Sequence, residues 1–341
     1  MRLPRILFVH NALQPFVAVD LNLLRERYAV QEWFVRSRAI NLVATWRAVR
    51  RADLVFGWSA SWHTFFPVLF ARWLSKPSLM VVGGYDTARV SEADYGSQRG
   101  GIRQVIARRV IHNATHLITN SKSACRETMS NVGVPRGKIT VVYHGFEMPT
   151  AEWTDKANLV ITVGGVGRTN LLRKGLLPFV QAAAHLPDLQ FVLAGNWFDD
   201  SIETLRAHAG ANVTFTGYLS DADLQALYAR ASIYVQASLH EGFGMSVAEA
   251  MLMGCIPVVT NVGALPEVVG DCGFYAADNS PQAVAAAIRQ ALAADETLRQ
   301  CARARVLTHF SMEQRRQGLF EQVDRLLQKR GTPRVQLDST P

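Results

Sequence analysis

Two glutamates stand eight residues apart in the run HEGFGMSVAEAMLMGCIPVV, residues 240–259: Glu241 just before Gly242-Phe243-Gly244, and Glu249 in the apolar segment that follows. Residues 233–236 read as a strand, 237–244 as its exit loop, and Met245 onward as a helix with Ala248, Ala250, Met251 and Leu252 facing inward. Glycines let a backbone approach a ligand closely, and the unpaired N–H groups of a helix start favour an anion. A phosphate is therefore expected at Gly242, Phe243, Gly244 and Met245. A carboxylate repels phosphate, so Glu241 and Glu249 are cast as acceptors for hydroxyl groups, as on a sugar or a ribose. A glycosidase-like acid/base pair is an alternative, but it requires a scissile bond between the two carboxylates in a cleft without a phosphate seat. The plainest alternative makes Glu241 a solvated loop residue and Glu249 an exposed helix residue.

A second run, ITVGGVGRTNLLRKG (residues 161–175), again leads a strand into a glycine turn and a helix. It contains no GxxxxGK[ST], and Asn170 stands where GxGxxG would place its third glycine. What it offers around Gly165 is Arg168 and Lys174, with a stretch between them expected to be a mobile loop. Two cations converging on one site suit a diphosphate and would stabilise a departing nucleoside diphosphate without a metal.

The elements that position these residues alternate. Apolar runs at 6–9, 54–57, 79–82, 116–119 and 139–142 are buried-strand candidates separated by helix-length segments, and the order restarts after Pro149. A second series runs through 159–163, 191–194, 213–215, 233–236 and 256–260, with helices expected at 175–184, 201–209, 221–229 and 245–253. Such alternation implies an α/β chain with two doubly wound, Rossmann-like domains. Ligands then belong at the strand-to-helix turns. The segment 280–329 is helical in pattern, and 331–341 reads as a flexible tail.

A length of 341 residues exceeds one ordinary core and suits two. No apolar stretch is long enough to span a bilayer, and the N-terminus reads as a first strand rather than a signal peptide. The four cysteines, Cys125, Cys255, Cys272 and Cys301, show no metal spacing and are expected to be reduced, which places the chain in the cytoplasm. Residues 1–150 hold 20 Lys+Arg against 9 Asp+Glu, while the whole chain is +8. The first half should thus meet something anionic: a phosphorylated substrate, an anionic membrane surface or nucleic acid. Nucleic acid is not expected, since no recognition motif with interleaved aromatics accompanies the charge.

Together these residues resemble the retaining glycosyltransferases of family 4, which have the two-domain GT-B fold and an E-x7-E motif matched by Glu241 and Glu249. The resemblance covers roughly residues 105–310. It includes Arg168 and Lys174 of "GR...RKG", Leu193-Ala194-Gly195, Phe215-Thr216-Gly217-Tyr218, Asn120-Ser121 and Tyr143-His144-Gly145-Phe146. It implies a GT-B chain whose domains face a central cleft: an acceptor-binding domain at 1–150, a nucleotide-sugar-binding domain at 151–312, and a helix at 313–330 packing back on the first domain. Arg168 and Lys174 would hold the donor diphosphate and Glu241 the transferred sugar, these three being the catalytic set. Glu249 would bind the ribose, Gly165 and the Gly242–Met245 backbone the phosphates, and Tyr218 and Leu219 the base. A donor phosphate oxygen would take the acceptor's proton, so neither metal nor cofactor is implied.

The implied activity is transfer of a sugar from a nucleotide-diphosphate sugar to a glycan, a lipid-linked sugar or a small molecule. A GT-B sugar-nucleotide epimerase and a non-catalytic sugar-nucleotide-binding subunit are the alternatives. The first strand leads into HNALQPFVAVD rather than a glycine-rich loop, and Val82-Gly83-Gly84-Tyr85-Asp86 lacks the histidine many members carry there. Asn11 and Asp86 are the candidates for the acceptor or reactive sugar, while His144 is expected to be structural. The aromatic stretch SASWHTFFPVLFARWL (59–74) admits peripheral contact with an anionic membrane at its inner face, but a helix packed on the first sheet is favoured.

Overall fold

The computed structural model describes residues 2–149 and 155–329. The expected tail at 331–341 and the expected domain boundary at 150–151 lie outside them. The chain divides into two compact units: Met1–Arg89 with Gly96–Gly145 and Met312–Pro341, and Phe146–Ser311 with the hexapeptide Val90–Tyr95.

The first unit alternates strands β1 (Arg5–His10), β2 (Ala29–Phe34), β3 (Leu54–Trp58), β4 (Ser78–Val82), β5 (His116–Thr119) and β6 (Ile139–Val141) with helices α1 (Pro15–Arg27), α2 (Leu42–Arg51), α3 (Trp62–Trp73), α4 (Gly101–Asn113) and α5 (Lys122–Glu127). The sheet order is β2-β1-β3-β4-β5-β6, all parallel. Strands β3 and β4 are buried along their whole length, which is why LVFGW and SLMVV read as unbroken apolar runs. The edge strand β2, AVQEWF, is mostly exposed and carries too little apolar pattern to be read as a strand from sequence.

The second unit repeats the plan with β7 (Ala157–Val163), α6 (Arg168–Arg173), α7 (Leu176–Ala182), β8 (Gln190–Ala194), α8 (Ser201–Ala207), β9 (Val213–Gly217), α9 (Asp221–Arg230), β10 (Ala231–Gln236), α10 (Met245–Leu252), β11 (Ile256–Thr260), α11 (Leu265–Val269), β12 (Phe274–Ala276), α12 (Pro281–Leu292) and α13 (Glu296–His309). Its parallel order is β12-β11-β10-β7-β8-β9. Ser220, Ser280 and Asp295 cap α9, α12 and α13 through backbone N–H groups, each worth about 1 kcal/mol. The three-residue β12 is too short to show any periodicity.

Helix α14 (Met312–Gln328) belongs to the first unit. Its Leu319, Val323, Leu326 and Leu327 join a core with Phe8, Leu24, Leu54 and Phe56. Each fully buried side chain of this kind contributes about 1.5–3 kcal/mol. At its start Arg315, fully buried, reaches Asp20 at 2.6 and 2.9 Å, and Asp20 also accepts from the Trp58 indole at 3.0 Å.

The expectation for the cysteines needs correction. Cys272 and Cys301 form a disulfide (S–S 2.07 Å), so only Cys125 and Cys255 are free thiols, both buried. The pairing partners are 29 residues apart and meet only because α13 folds back over the segment after α11, which no spacing rule reveals. The aromatic stretch forms α3, which buries Val68, Phe70 and Ala71 in cores shared with strands of the first sheet. Trp73, at its last turn, remains 63% exposed. Among the described residues no helix is long and apolar enough to cross a membrane.

Candidate active site

In a doubly wound sheet, chains leaving two neighbouring strands in opposite directions open a crevice at their carboxyl ends. In the second unit that switch point lies between β7 and β10, the two strands that lead into the glycine turns. The strand order thus brings both motifs to one crevice, and local chemistry holds them there.

The turn after β7 is stitched to the loop after β8. Gly164 N–H donates to Ala194 O, Val166 N–H to Asn196 O at 2.7 Å, and Phe198 N–H to Val166 O. Residues 168–173 are the helix α6 rather than a mobile loop. Asn170 explains the difference: its amide donates to Gly165 O at 2.7 Å and its carbonyl accepts from Arg173, clamping the turn where a third glycine would have left it loose. Asp199, which sequence reasoning missed, accepts from the Arg168 N–H at 3.0 Å. Hydrogen bonds from Ser201 and Arg168 hold its carboxyl below the usual range. The only sequence signal was its place just ahead of a helix.

Gly175 has φ +67°, and a Cβ there would lie 1.9 Å from Ala237 O, so α7 starts pressed against the exit of β10. Leu239 N–H donates to Arg173 O at 2.9 Å and ties the same two loops. Lys174 lies across Gly164, its Cδ 3.1 Å from where a Cβ would stand. Half-buried, it makes no hydrogen bond or ion pair with any described residue, and neither does the exposed Arg168 guanidinium.

On the β10 side, Ala264 N–H donates to Glu241 O at 3.0 Å, and Gly263 (φ +56°) packs so tightly on Glu241 O that a Cβ would stand 2.2 Å away. The backbone of Glu241 is therefore fixed, while its side-chain Oε2 is buried without a hydrogen-bond partner. Gly244, at φ +102°, begins α10. Phe243 is buried against Phe146 and Phe310. Met245 opens the helix.

Glu249, one turn into α10, is half-buried and accepts from the Tyr228 hydroxyl at 3.3 Å. Burial raises its pKa, against the pull of Tyr228 and Lys174. The pKa of the Tyr234 phenol is pushed up by burial, with a smaller push from the charges of Glu241 and Glu249. Tyr218 is 71% exposed at the end of β9, with Leu219 half-buried beside it. Strand β8 separates β9 from β7, which puts Tyr218 roughly 10 Å along the sheet edge from the glycine turn. Trp197 and Phe198, both exposed, line the edge between them; the Phe198 ring covers Gly165.

The first unit has its switch point between β1 and β3, and a pocket of about 670 Å³ opens there. Asn11, following β1, and Asp86 both line it. Asp86 is buried, its carboxylate accepting from Ala60 N–H at 2.8 Å and Gly83 N–H at 2.9 Å. Burial pushes its pKa up to about 6, against the pull of those N–H groups. The wall it braces includes Ser59, at φ +62°, a conformation that costs a non-glycine residue about 1–3 kcal/mol. His63 is buried in the same wall, its ring donating to Trp58 O at 2.8 Å, and burial lowers its pKa to about 4. His144 is buried too, stacked on Trp58 at 6.1 Å and held well below its usual pKa by burial and Arg315.

Two parallel six-stranded units, each with residues gathered at its own switch point, define an α/β protein of the GT-B glycosyltransferase type. Both units match glycosyltransferase families: residues 5–148 that described as Glycosyltransferase Family 4, and residues 157–294 that described as Glycosyl transferases group 1. It is 39% identical over 144 residues to the O-antigen chain mannosyltransferase B of Escherichia coli, covering 40% of this chain and 38% of that one. With a glycogen synthase of Mycobacterium tuberculosis it shares 29% identity over 271 residues, 71% of this chain and 64% of the other. The chain thus spans less than two thirds of either curated relative. Among solved structures, Anabaena HepE in complex with UDP superposes with a TM-score of 0.76 at 16% identity, over 95% of this chain and 100% of that one. Sucrose-phosphate synthase from Thermosynechococcus elongatus gives 0.73 at 18%, over 96% and 100%. At such identities the likeness is one of fold.

Proposed function

We propose that this chain transfers a hexose, with retention of configuration and without a metal, from a nucleoside-diphosphate sugar held by the second unit to an acceptor held by the first. One observation carries the reading: at the β7/β10 switch point, two cations that form no ion pair with any described residue stand with a glutamate whose Oε2 is buried and unbonded. Burying an unsatisfied carboxylate oxygen costs about 1–3 kcal/mol, which a ligand hydroxyl would recover.

On this reading Arg168 and Lys174 neutralise the diphosphate as the bond to the sugar breaks, the task a divalent cation performs elsewhere. The N–H groups at Gly242–Met245 point at the phosphates, Glu241 accepts from a sugar hydroxyl, and Glu249 accepts from the ribose. Tyr218 and Leu219 lie at the distance a nucleoside spans from its diphosphate. A phosphate oxygen of the donor accepts the acceptor's proton on the face the leaving group departs from. The mannosyltransferase and glycogen synthase relatives put mannose and glucose first among the sugars to try, and HepE, which shares the fold, is complexed with UDP.

The test incubates UDP-, GDP- and ADP-linked glucose and mannose with glycan, lipid-linked and small-molecule acceptors, with and without chelator. Nucleotide release and the anomeric configuration of the product are read by NMR. Acceptor-dependent release with a retained anomer is expected, lowered at least tenfold in Lys174→Ala and Glu241→Ala. Unchanged turnover in both variants would overturn the site, an inverted product the retaining assignment, and donor conversion without acceptor would replace transfer by epimerisation.

A further inference from the structure

The pocket at the β1/β3 switch point has a charge pattern that the donor site does not explain. Two guanidiniums, Arg38 from the segment after β2 and Arg103 from the first turn of α4, line it. Neither is ion-paired with any described residue. Arg103 is oriented by donating to the Tyr85 hydroxyl at 2.9 Å. The single acidic residue in the lining is Asp86, and both of its carboxylate oxygens are occupied by backbone N–H groups. Burial keeps it partly protonated up to about pH 6. Asn11 adds a neutral polar group, and the half-buried Trp62 indole supplies an apolar wall.

Two guanidiniums against one carboxylate that is tied to backbone N–H groups leave the crevice net positive, and such a crevice concentrates anions. An ammonium or guanidinium ligand would meet two like charges there, and a neutral glycan would leave both guanidiniums to water. A guanidinium fork matches the oxygens of phosphate or carboxylate, while Asn11 and the Trp62 face suit the hydroxyls and C–H edges of a sugar.

We infer that the first-unit pocket is a subsite for an acceptor bearing a phosphate or carboxylate group, with Arg38 and Arg103 as the residues that select the anion. That the anion belongs to an acceptor rests on the transferase reading; that the pocket selects anions does not. The shared chemistry is a sugar or alcohol carrying the anion, from a soluble sugar phosphate or acid or from a lipid phosphate.

The test uses this chain carrying Arg168→Ala and Lys174→Ala, which removes the two cations of the second unit's donor site. Calorimetric titrations at low ionic strength compare glucose, glucose 6-phosphate, glucuronate and farnesyl phosphate. At least one anionic probe should bind roughly tenfold or more tightly than glucose, since a hydrogen bond to a charged group changes affinity about tenfold or more. The glucuronate, glucose 6-phosphate and farnesyl phosphate arms distinguish the sources. Adding Arg38→Gln or Arg103→Gln should each reduce the preference several-fold, Arg38→Lys should retain most of it, and about 0.5 M salt should weaken it. Thermal melting confirms that each variant is folded.

Equal affinity for glucose and all three anions overturns the inference, as does a preference that survives Arg38→Gln with Arg103→Gln. If no nucleotide sugar is turned over by the wild type but the arginine-dependent preference persists, the transferase reading falls and the anion subsite stands. Turnover without any such preference has the opposite meaning.

Discussion

Lys174→Met separates a ligand-binding cation from a structural one. The wild-type ammonium is half-buried, rests its stem on Gly164 and has no carboxylate partner among the described residues, so methionine keeps the packing and removes only charge. A unit charge 4 Å from one phosphate charge at an effective dielectric near 20 gives about 4 kcal/mol of gross attraction. Dehydrating the ammonium offsets part of this, and hydrogen bonds to charged groups net about 1.5–3 kcal/mol. The affinity for the matching nucleoside diphosphate should therefore fall roughly 10- to 150-fold. Stability should change by less than about 1 kcal/mol, because no ion pair is lost and only the longer-range pull of the ammonium on Glu249 is removed. Titration calorimetry with UDP, GDP and ADP, paired with thermal melting, reads both quantities. Nucleotide affinity within twofold of wild type would remove Lys174 from the donor seat, and a fall in affinity matched by a loss of several kcal/mol of stability would make it a structural cation.

Asp20→Asn should cost about 3–5 kcal/mol in urea denaturation, because it leaves the fully buried Arg315 without its counter-charge. Asp86 gives a pH signature: its folded pKa of about 6 lies above the 3.8 of the unfolded chain, so the folded state holds the proton through that window. Its contribution is therefore full below about pH 3.8 and is lost as pH rises through about 6; the stability of wild type relative to Asp86→Asn should drop by roughly 2.4 kcal/mol between pH 4 and 7. Thiol titration of the unreduced, denatured chain should find Cys125 and Cys255 alone. Replacing Cys272 and Cys301 by alanine should lower stability by about 3–4 kcal/mol for a closed loop of 29 residues, checked by denaturation under non-reducing conditions.

The alternation of buried apolar runs with helix-length segments was enough to establish two doubly wound sheets, because a strand covered on both faces admits little but Val, Ile, Leu and their like. The glycine turns after 163 and 236 and the charges around them were legible for a related reason: few residue types tolerate close backbone approach, and cations and carboxylates betray themselves by type. Tertiary structure decided the rest. Strand order is a matter of which hydrogen-bonded neighbours form, and it alone brings the turns after β7 and β10 to one crevice and Asn11 to Ser59 at another. Asn170 and Asp199 look ordinary in sequence; Asn170 fixes the Arg168–Arg173 helix through Gly165 O in its own turn, and Asp199 does so from the loop after β8, which the sheet brings to the Arg168 N–H. The same holds for Cys272 with Cys301, for Asp20 with Arg315 at 295 residues' separation, and for the paired guanidiniums of Arg38 and Arg103. Sequence sets the local periodicity and the chemistry carried by each turn, whereas partners distant along the chain are chosen only when the folded sheets fix which atoms come within reach.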